Sequence, residues 1–141
     1  MNMEQREIFK KAMIIDDAHI DRFVGERVIK KSGFAEVVIC YESAVDALEY
    51  LATNIADLPE VIFLDLNMPG MNGREFLEYF AKLPDIIKDN CHIVIASSSL
   101  HHADRELSLS NANVDGFVSK PLLVDTLTEL KQVLYKEYVY K

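Results

Sequence analysis

No stretch of this 141-residue chain approaches the ~18 consecutive apolar residues of a membrane span. The N-terminus, MNMEQREIFKKAM, is charged and lacks the apolar region of a secretory signal. Cysteine is scarce. Cys40 and Cys91 lie in or beside apolar, strand-like runs without metal-type spacing, so they read as small hydrophobes in a reducing compartment. Basic residues are in deficit: 15 Lys and Arg against 23 Asp and Glu give a formal net charge of −8. That balance excludes the basic stripe of a general nucleic-acid surface. Repeats, low-complexity tracts and linkers to a second domain are missing too. These absences predict a cytoplasmic protein with no nucleic-acid or membrane partner.

What is present is ordinary for a globular protein, with 50% hydrophobic and 27% charged residues. The length fits one domain spanning residues 1–141, with a core of about 12–138. Short apolar runs predict strands at Ala12–Ile15, Glu36–Cys40, Val61–Leu64, His92–Ala96 and Asp115–Val118. Helical spacing relates Ile20, Phe23, Val24 and Val28, then Val45, Leu48 and Leu51, then Phe76, Leu77 and Phe80. A last helix carries Leu123, Leu127, Leu130 and Leu134 on one face, and Ala103–Ser110 has the weakest helical pattern. Ser43 with Asp46 forms a helix-start signal, Gly33 a left-handed stop, and Asn72-Gly73 opens the third helix. Lys82–Asn90 reads as a long polar connection. Five strands alternating with five helices predict an α/β fold with a parallel sheet and helices on both faces.

In such folds chemistry gathers outside the carboxyl ends of the strands. Polar residues fall at those ends: Asp16 and Asp17 after the first strand, Asp65 after the third, Ser97 after the fourth and Lys120 after the fifth. Converging carboxylates repel one another, and a hard divalent cation relieves them. Mg²⁺ takes oxygen ligands, usually one or two carboxylates plus phosphate and water. Asp16, Asp17 and Asp65 match that demand, with a further oxygen from the backbone of Asn67. A carboxylate can attack phosphorus to form an aspartyl phosphate. Cations then offset the charge on the phosphoryl oxygens. Asp65 is the candidate acceptor, Lys120 the second positive charge, and Ser97 a hydroxyl for a phosphoryl oxygen.

The strings IIDD, FLDLNMPGMNG, VIASSS and GFVSKPL stand in order between Ile14 and Leu122, within a resemblance that covers about Met13 to Tyr138. In this order and spacing they resemble a stand-alone response-regulator receiver domain of bacterial two-component signalling. The resemblance implies a flavodoxin-like (βα)5 fold with strand order 2-1-3-4-5 and no output domain. By position it makes Asp65 the phosphoacceptor, Asp17 a direct Mg²⁺ ligand and Asp16 a ligand through water. Asn67 offers its main-chain oxygen and Lys120 contacts the phosphoryl group. The Lys120–Pro121 bond is expected to be cis. Ser97 and Phe117 are the switch pair, with Ser98 the alternative hydroxyl. Phe117 stands where Tyr is frequent, so the ring has no hydroxyl to hydrogen-bond outward.

Each residue alone has a plainer reading. Asp65 is a turn residue, Asp16-Asp17 a helix cap, Lys120 a solvated lysine and Ser97–Ser99 a turn. Their joint occurrence at four strand ends favours the site. His101 and His102 read as an exposed loop pair, and His19 as the start of the first helix. Of Tyr135, Tyr138 and Tyr140, one is expected to pack on the core. The resemblance implies a phosphorylation-controlled switch, not an enzyme beyond its own phosphorylation and dephosphorylation. Partners would be a histidine kinase or histidine phosphotransfer protein and a downstream protein target. The surface that changes would be the fourth helix, fifth strand and fifth helix, in a monomer or a weak phosphorylation-dependent dimer. Alternatives are a phosphate sink in a phosphorelay, a phosphorylation-independent adaptor, or a haloacid-dehalogenase-like hydrolase. The last would want a carboxylate where Asn67 stands and a cap with no counterpart in the sequence.

Overall fold

A computed structural model of the protein describes residues 8–98 and 102–140. Along the chain it runs β1 (Phe9–Ile15), α1 (His19–Ser32), β2 (Ala35–Tyr41), α2 (Ala44–Thr53), β3 (Val61–Leu64) and α3 (Gly73–Ala81). The second half is α4 (Asp85–Lys88), β4 (His92–Ser97), α5 (His102–Ser110), β5 (Val114–Ser119) and α6 (Val124–Tyr140). The five strands form one sheet in the order β2-β1-β3-β4-β5, all pairs parallel. This is the expected doubly wound, flavodoxin-like order. The chain reverses direction across the sheet between β1 and β3, the switch point where a crevice opens.

Alternation along each strand divides the core in two. Met13, Ile15, Ile62, Leu64, Ile93 and Ile95 face α2, α3 and the one-turn α4, with Leu51, Phe76, Phe80 and Ile87 among the buried side chains. Ala12, Ile14, Val61, Phe63, Val94 and Ala96 face α1 and α6, against Ile29, Leu127, Leu130 and Leu134. With β3 and β4 buried on both faces, their apolar runs are continuous rather than alternating.

Helix ends follow local chemistry. Gly33 stops α1 at φ 72°, its amide bonding the carbonyls of Ile29 and Lys30. The Ser43 side chain accepts from the Asp46 amide at the start of α2. Asn72 and Glu75 form a reciprocal capping box on α3. The first helix departs from that pattern: its N-cap is Ala18 and no side chain caps it.

Four sequence expectations shift. The polar connection Lys82–Asn90 contains α4, because Ile87 is an anchor that is fully buried. β1 begins at Phe9, whose ring packs on Phe34 and Tyr135. On α1 the predicted apolar stripe meets the core only in part: Val28 packs against it, but Ile20 is 70% and Phe23 52% exposed, and the fully buried positions are Gly25 and Ile29. Leu123 precedes α6 and is exposed, its carbonyl accepting the Leu127 amide. One irregularity interrupts β4–β5, where the register steps from Ile93–Val114 to Val94–Gly116. The extra residue, Asp115, turns its carboxylate to His92 Nδ1 (3.1 Å) and the Ile93 amide (3.3 Å).

Candidate functional site

Three backbone hydrogen bonds extend the sheet past its strands and aim the polar residues at one rim. The Asp16 amide donates to the Tyr41 carbonyl, the Asp65 amide to Ile15, and the Lys120 amide to Ser97. Asp16, Asp65 and Lys120 are therefore delivered by rigid backbone rather than by loose loops. The Lys120–Pro121 peptide bond is cis. Behind Asp65 the chain passes through Gly70, at φ 72°, and enters α3 at Gly73. A Cβ on Gly73 would lie 2.6 Å from both the Asp65 carbonyl oxygen and the Leu66 Cα. Only glycine allows α3 to begin this close to the Asp65 backbone.

Asp16 is 3% and Asp65 7% exposed, while Asp17 lies on the surface. Single oxygens of Asp16, Asp17 and Asp65 all lie within 4.8 Å of one another. Lys120 Nζ donates to Asp16 Oδ2 at 2.7 Å and to Asp21 Oδ2 at 3.1 Å, and stands 3.6 Å from Asp65 Oδ2. The inner oxygens are also held. Asp16 Oδ1 accepts the Ala18 amide at 2.9 Å, and Asp65 Oδ1 accepts the Asn67 amide at 3.1 Å. Arg22 donates to the Asp16 main-chain oxygen at 2.9 Å.

Burial raises the Asp65 carboxyl above its ordinary value, with Asp16 and Asp17 pushing the same way and the Asn67 amide and Lys120 opposing. Burial also pulls on the Lys120 ammonium, but its bond to Asp16 and the charge of Asp65 outweigh that and raise it. The lysine is thus a fixed cation. The crowded carboxylates form an all-oxygen donor set suited to a hard cation such as Mg²⁺. A cavity of about 50 Å³ lies beside the cluster, lined by Asp16, Asp21, Asp65 and Lys120 and by apolar residues that include Val24, Phe63 and Leu122. That admits a small group, whereas pockets for drug-sized ligands run to about 300–1,000 Å³.

Ser97 is buried at the end of β4 and Ser98, next along, is exposed. Phe117, paired with Ile95 across β4–β5, is half-buried against the core. Asn67 is exposed in the turn after Asp65. His19 opens α1 on its exposed side. Ser99, His101 and the side chains of His102, Tyr138 and Tyr140 lie outside the described residues. Tyr135 stacks on Phe9 with centroids 4.5 Å apart.

Sequence reasoning missed three groups. Asp21, one turn into α1, is a second partner of Lys120. Asp104 on α5 is buried, 3.4 Å from Ser97 Oγ, and paired with Arg74 of α3 at 2.9 Å. Asp21 had a signal: it stands four residues after Asp17, on the first turn of a helix that leaves the acidic strand end. Arg74 and Asp104 had none, being 30 residues apart on separate helices.

The sequence matches the response regulator receiver domain over residues 12–132. A response regulator receiver protein from Dyadobacter fermentans is similar in structure. Its TM-score is 0.81 at 32% identity, covering 89% of this chain and 98% of that one. A two-component response regulator from Cytophaga hutchinsonii gives a TM-score of 0.83 at 27% identity, covering 94% and 98%. A hybrid signal transduction histidine kinase of Dictyostelium discoideum is 29% identical over 79% of this chain. The chain spans only 9% of that kinase, and 30% of a protein-glutamate methylesterase from Agrobacterium fabrum that it also matches.

Proposed function

Because the chain belongs to the response regulator receiver domain family, we propose that it is a signalling switch that takes a phosphoryl group from a phosphohistidine donor onto Asp65. The observation that carries this reading is the convergence of Asp16, Asp17 and Asp65 within 4.8 Å beside Lys120. An Asp65 carboxylate oxygen attacks phosphorus, the N–P bond of the donor breaks, and the imidazole leaves with the electron pair. Lys120, already charged and 3.6 Å from Asp65 Oδ2, is placed to meet a phosphoryl oxygen.

Asp16, Asp17, Asp65 and the main-chain oxygen of Asn67 would hold Mg²⁺. When bound, this ion supplies charge neutralisation at the phosphoryl oxygens. Ser97 donates its hydroxyl to the phosphoryl group, and Phe117 moves into the space the hydroxyl vacates. The altered face around α5, β5 and α6 then carries the signal to a protein target. The donor is a histidine kinase or histidine phosphotransfer protein. Hydrolysis of the acyl phosphate resets the switch.

Acetyl phosphate, with and without Mg²⁺, tests this on the wild type and Asp65→Asn. The expected result by intact mass is one added phosphoryl group that requires both Mg²⁺ and Asp65. A folded protein that takes no label under any condition would favour the phosphorylation-independent adaptor instead.

A further inference from the structure

The phosphoacceptor reading leaves the buried carboxylate of Asp104 unused. Asp104 lies in the first turn of α5 and is 5% exposed. A carboxylate this deeply buried is costly unless charge and hydrogen bonds compensate it. Arg74, half-exposed on α3, donates to its Oδ1 at 2.9 Å. The other oxygen, Oδ2, lies 3.4 Å from Ser97 Oγ. Strand alternation places Ser97 on the same face as Ile93 and Ile95, the face covered by α3 and α4. Asp104 thus reaches Ser97 on that side of the sheet.

A serine hydroxyl has one proton to donate. Given to Asp104 it is not available to a phosphoryl oxygen on Asp65, and the reverse also holds. At 3.4 Å the contact is long for O–H···O. It is therefore a weak hold, readily exchanged for a short bond to a doubly charged group. The ion pair also joins the two relevant elements: α3 begins on the Asp65–Leu66 backbone at Gly73, and α5 follows the strand that ends in Ser97.

We propose that Asp104 is a positioning residue that competes with the Asp65 phosphoryl group for the Ser97 hydroxyl, and that Arg74 sets the strength of that competition. By drawing charge from the carboxylate, Arg74 makes Asp104 a poorer acceptor for Ser97. This inference rests on Asp65 being the phosphoacceptor. It adds a residue outside the acceptor cleft that biases the switch toward its resting form.

The test is calorimetric titration with beryllofluoride, a small anion that mimics a phosphoryl group on a carboxylate, in the presence of Mg²⁺. Asp104→Ala is expected to bind it about twofold to threefold more tightly than wild type, the lower end of the net worth of one hydrogen bond, as the long contact implies. In a Ser97→Ala background, Asp104→Ala should change nothing. Arg74→Ala should weaken binding, because the carboxylate, no longer drawn by Arg74, then holds the serine harder. General loosening of the fold would not give these opposite signs.

Unchanged or weaker binding by folded Asp104→Ala overturns the proposal, and so does tightening that persists without Ser97. If Asp104→Ala does not fold, Arg74→Ala decides: equal or tighter binding overturns the proposal. Wild type that binds no beryllofluoride, or Asp65→Asn that binds as well as wild type, removes the phosphoacceptor reading and this inference with it. Failure at Asp104 with the Asp65 requirement intact removes this inference alone.

Discussion

Lys120 and Asp65 sit in one cluster but answer to charge removal in opposite ways. Lys120 is the hydrogen-bond partner of the buried Asp16 and of Asp21, so Lys120→Ala leaves Asp16 with a buried, uncompensated charge. The expected cost is about 2–4 kcal/mol, at or just below that of breaking a fully buried pair. Asp65 is held above its ordinary pKa by burial and by Asp16 and Asp17, so at neutral pH its charged form is disfavoured in the fold. Asp65→Asn keeps the shape and the acceptor for the Asn67 amide while removing that charge. It is expected to equal or exceed wild type in stability although it takes no phosphoryl label. Urea unfolding of both variants at pH 7 checks this pair. A destabilised Asp65→Asn beside an unaffected Lys120→Ala would show that the Asp65 charge stabilises the rim and that Lys120 is not its needed counter-charge.

At the scale of elements, the start of α3 is where local chemistry and the site meet. Asn72 and Gly73 are adjacent but have separable roles. Asn72→Ala removes the cap of α3 and should cost about 1 kcal/mol, with the Asp65 labelling rate kept. Gly73→Ala drives a methyl group to 2.6 Å from main-chain atoms of Asp65 and Leu66, which cannot rotate away. A cost of about 1–3 kcal/mol follows from overpacking, and displacement of Asp65 should slow labelling by acetyl phosphate. Equal labelling rates in Gly73→Ala and wild type would show that α3 can retreat without moving the acceptor. Elements with strong local signals were legible from sequence: the apolar run of β3, the Gly33 stop and the Asn72 start all stand where patterns placed them. The strand-end residues were legible because parallel α/β topology sends strand ends to one rim. Contacts made between helices were not. Arg74 and Asp104 each look like ordinary surface charges along their own helices, and α4 is too short for a periodic pattern. The α1 stripe misled at Ile20 and Phe23, though not at Val28, because spacing records apolar character, not which side of the helix packs.

The whole molecule carries a formal net charge of −8, and its rim gathers three of its carboxylates within 4.8 Å. A cation that binds only this folded arrangement must raise global stability, since the unfolded chain scatters the three ligands. At a Mg²⁺ concentration ten times its dissociation constant the gain is about 1.4 kcal/mol. For a domain of this size that corresponds to a rise in Tm of roughly 3–7 °C. General screening of an acidic protein also favours the compact state, so a comparison at equal ionic strength with sodium chloride is needed to isolate the site. Asp17 is the informative position: it is exposed and repels Asp65, so Asp17→Asn should leave the Mg²⁺-free Tm unchanged or slightly raised while removing most of the Mg²⁺-dependent rise. A rise that sodium chloride reproduces would mean that the acidic rim responds to ionic strength alone, and a Mg²⁺-specific rise that Asp17→Asn leaves whole would mean that Asp17 holds no ion.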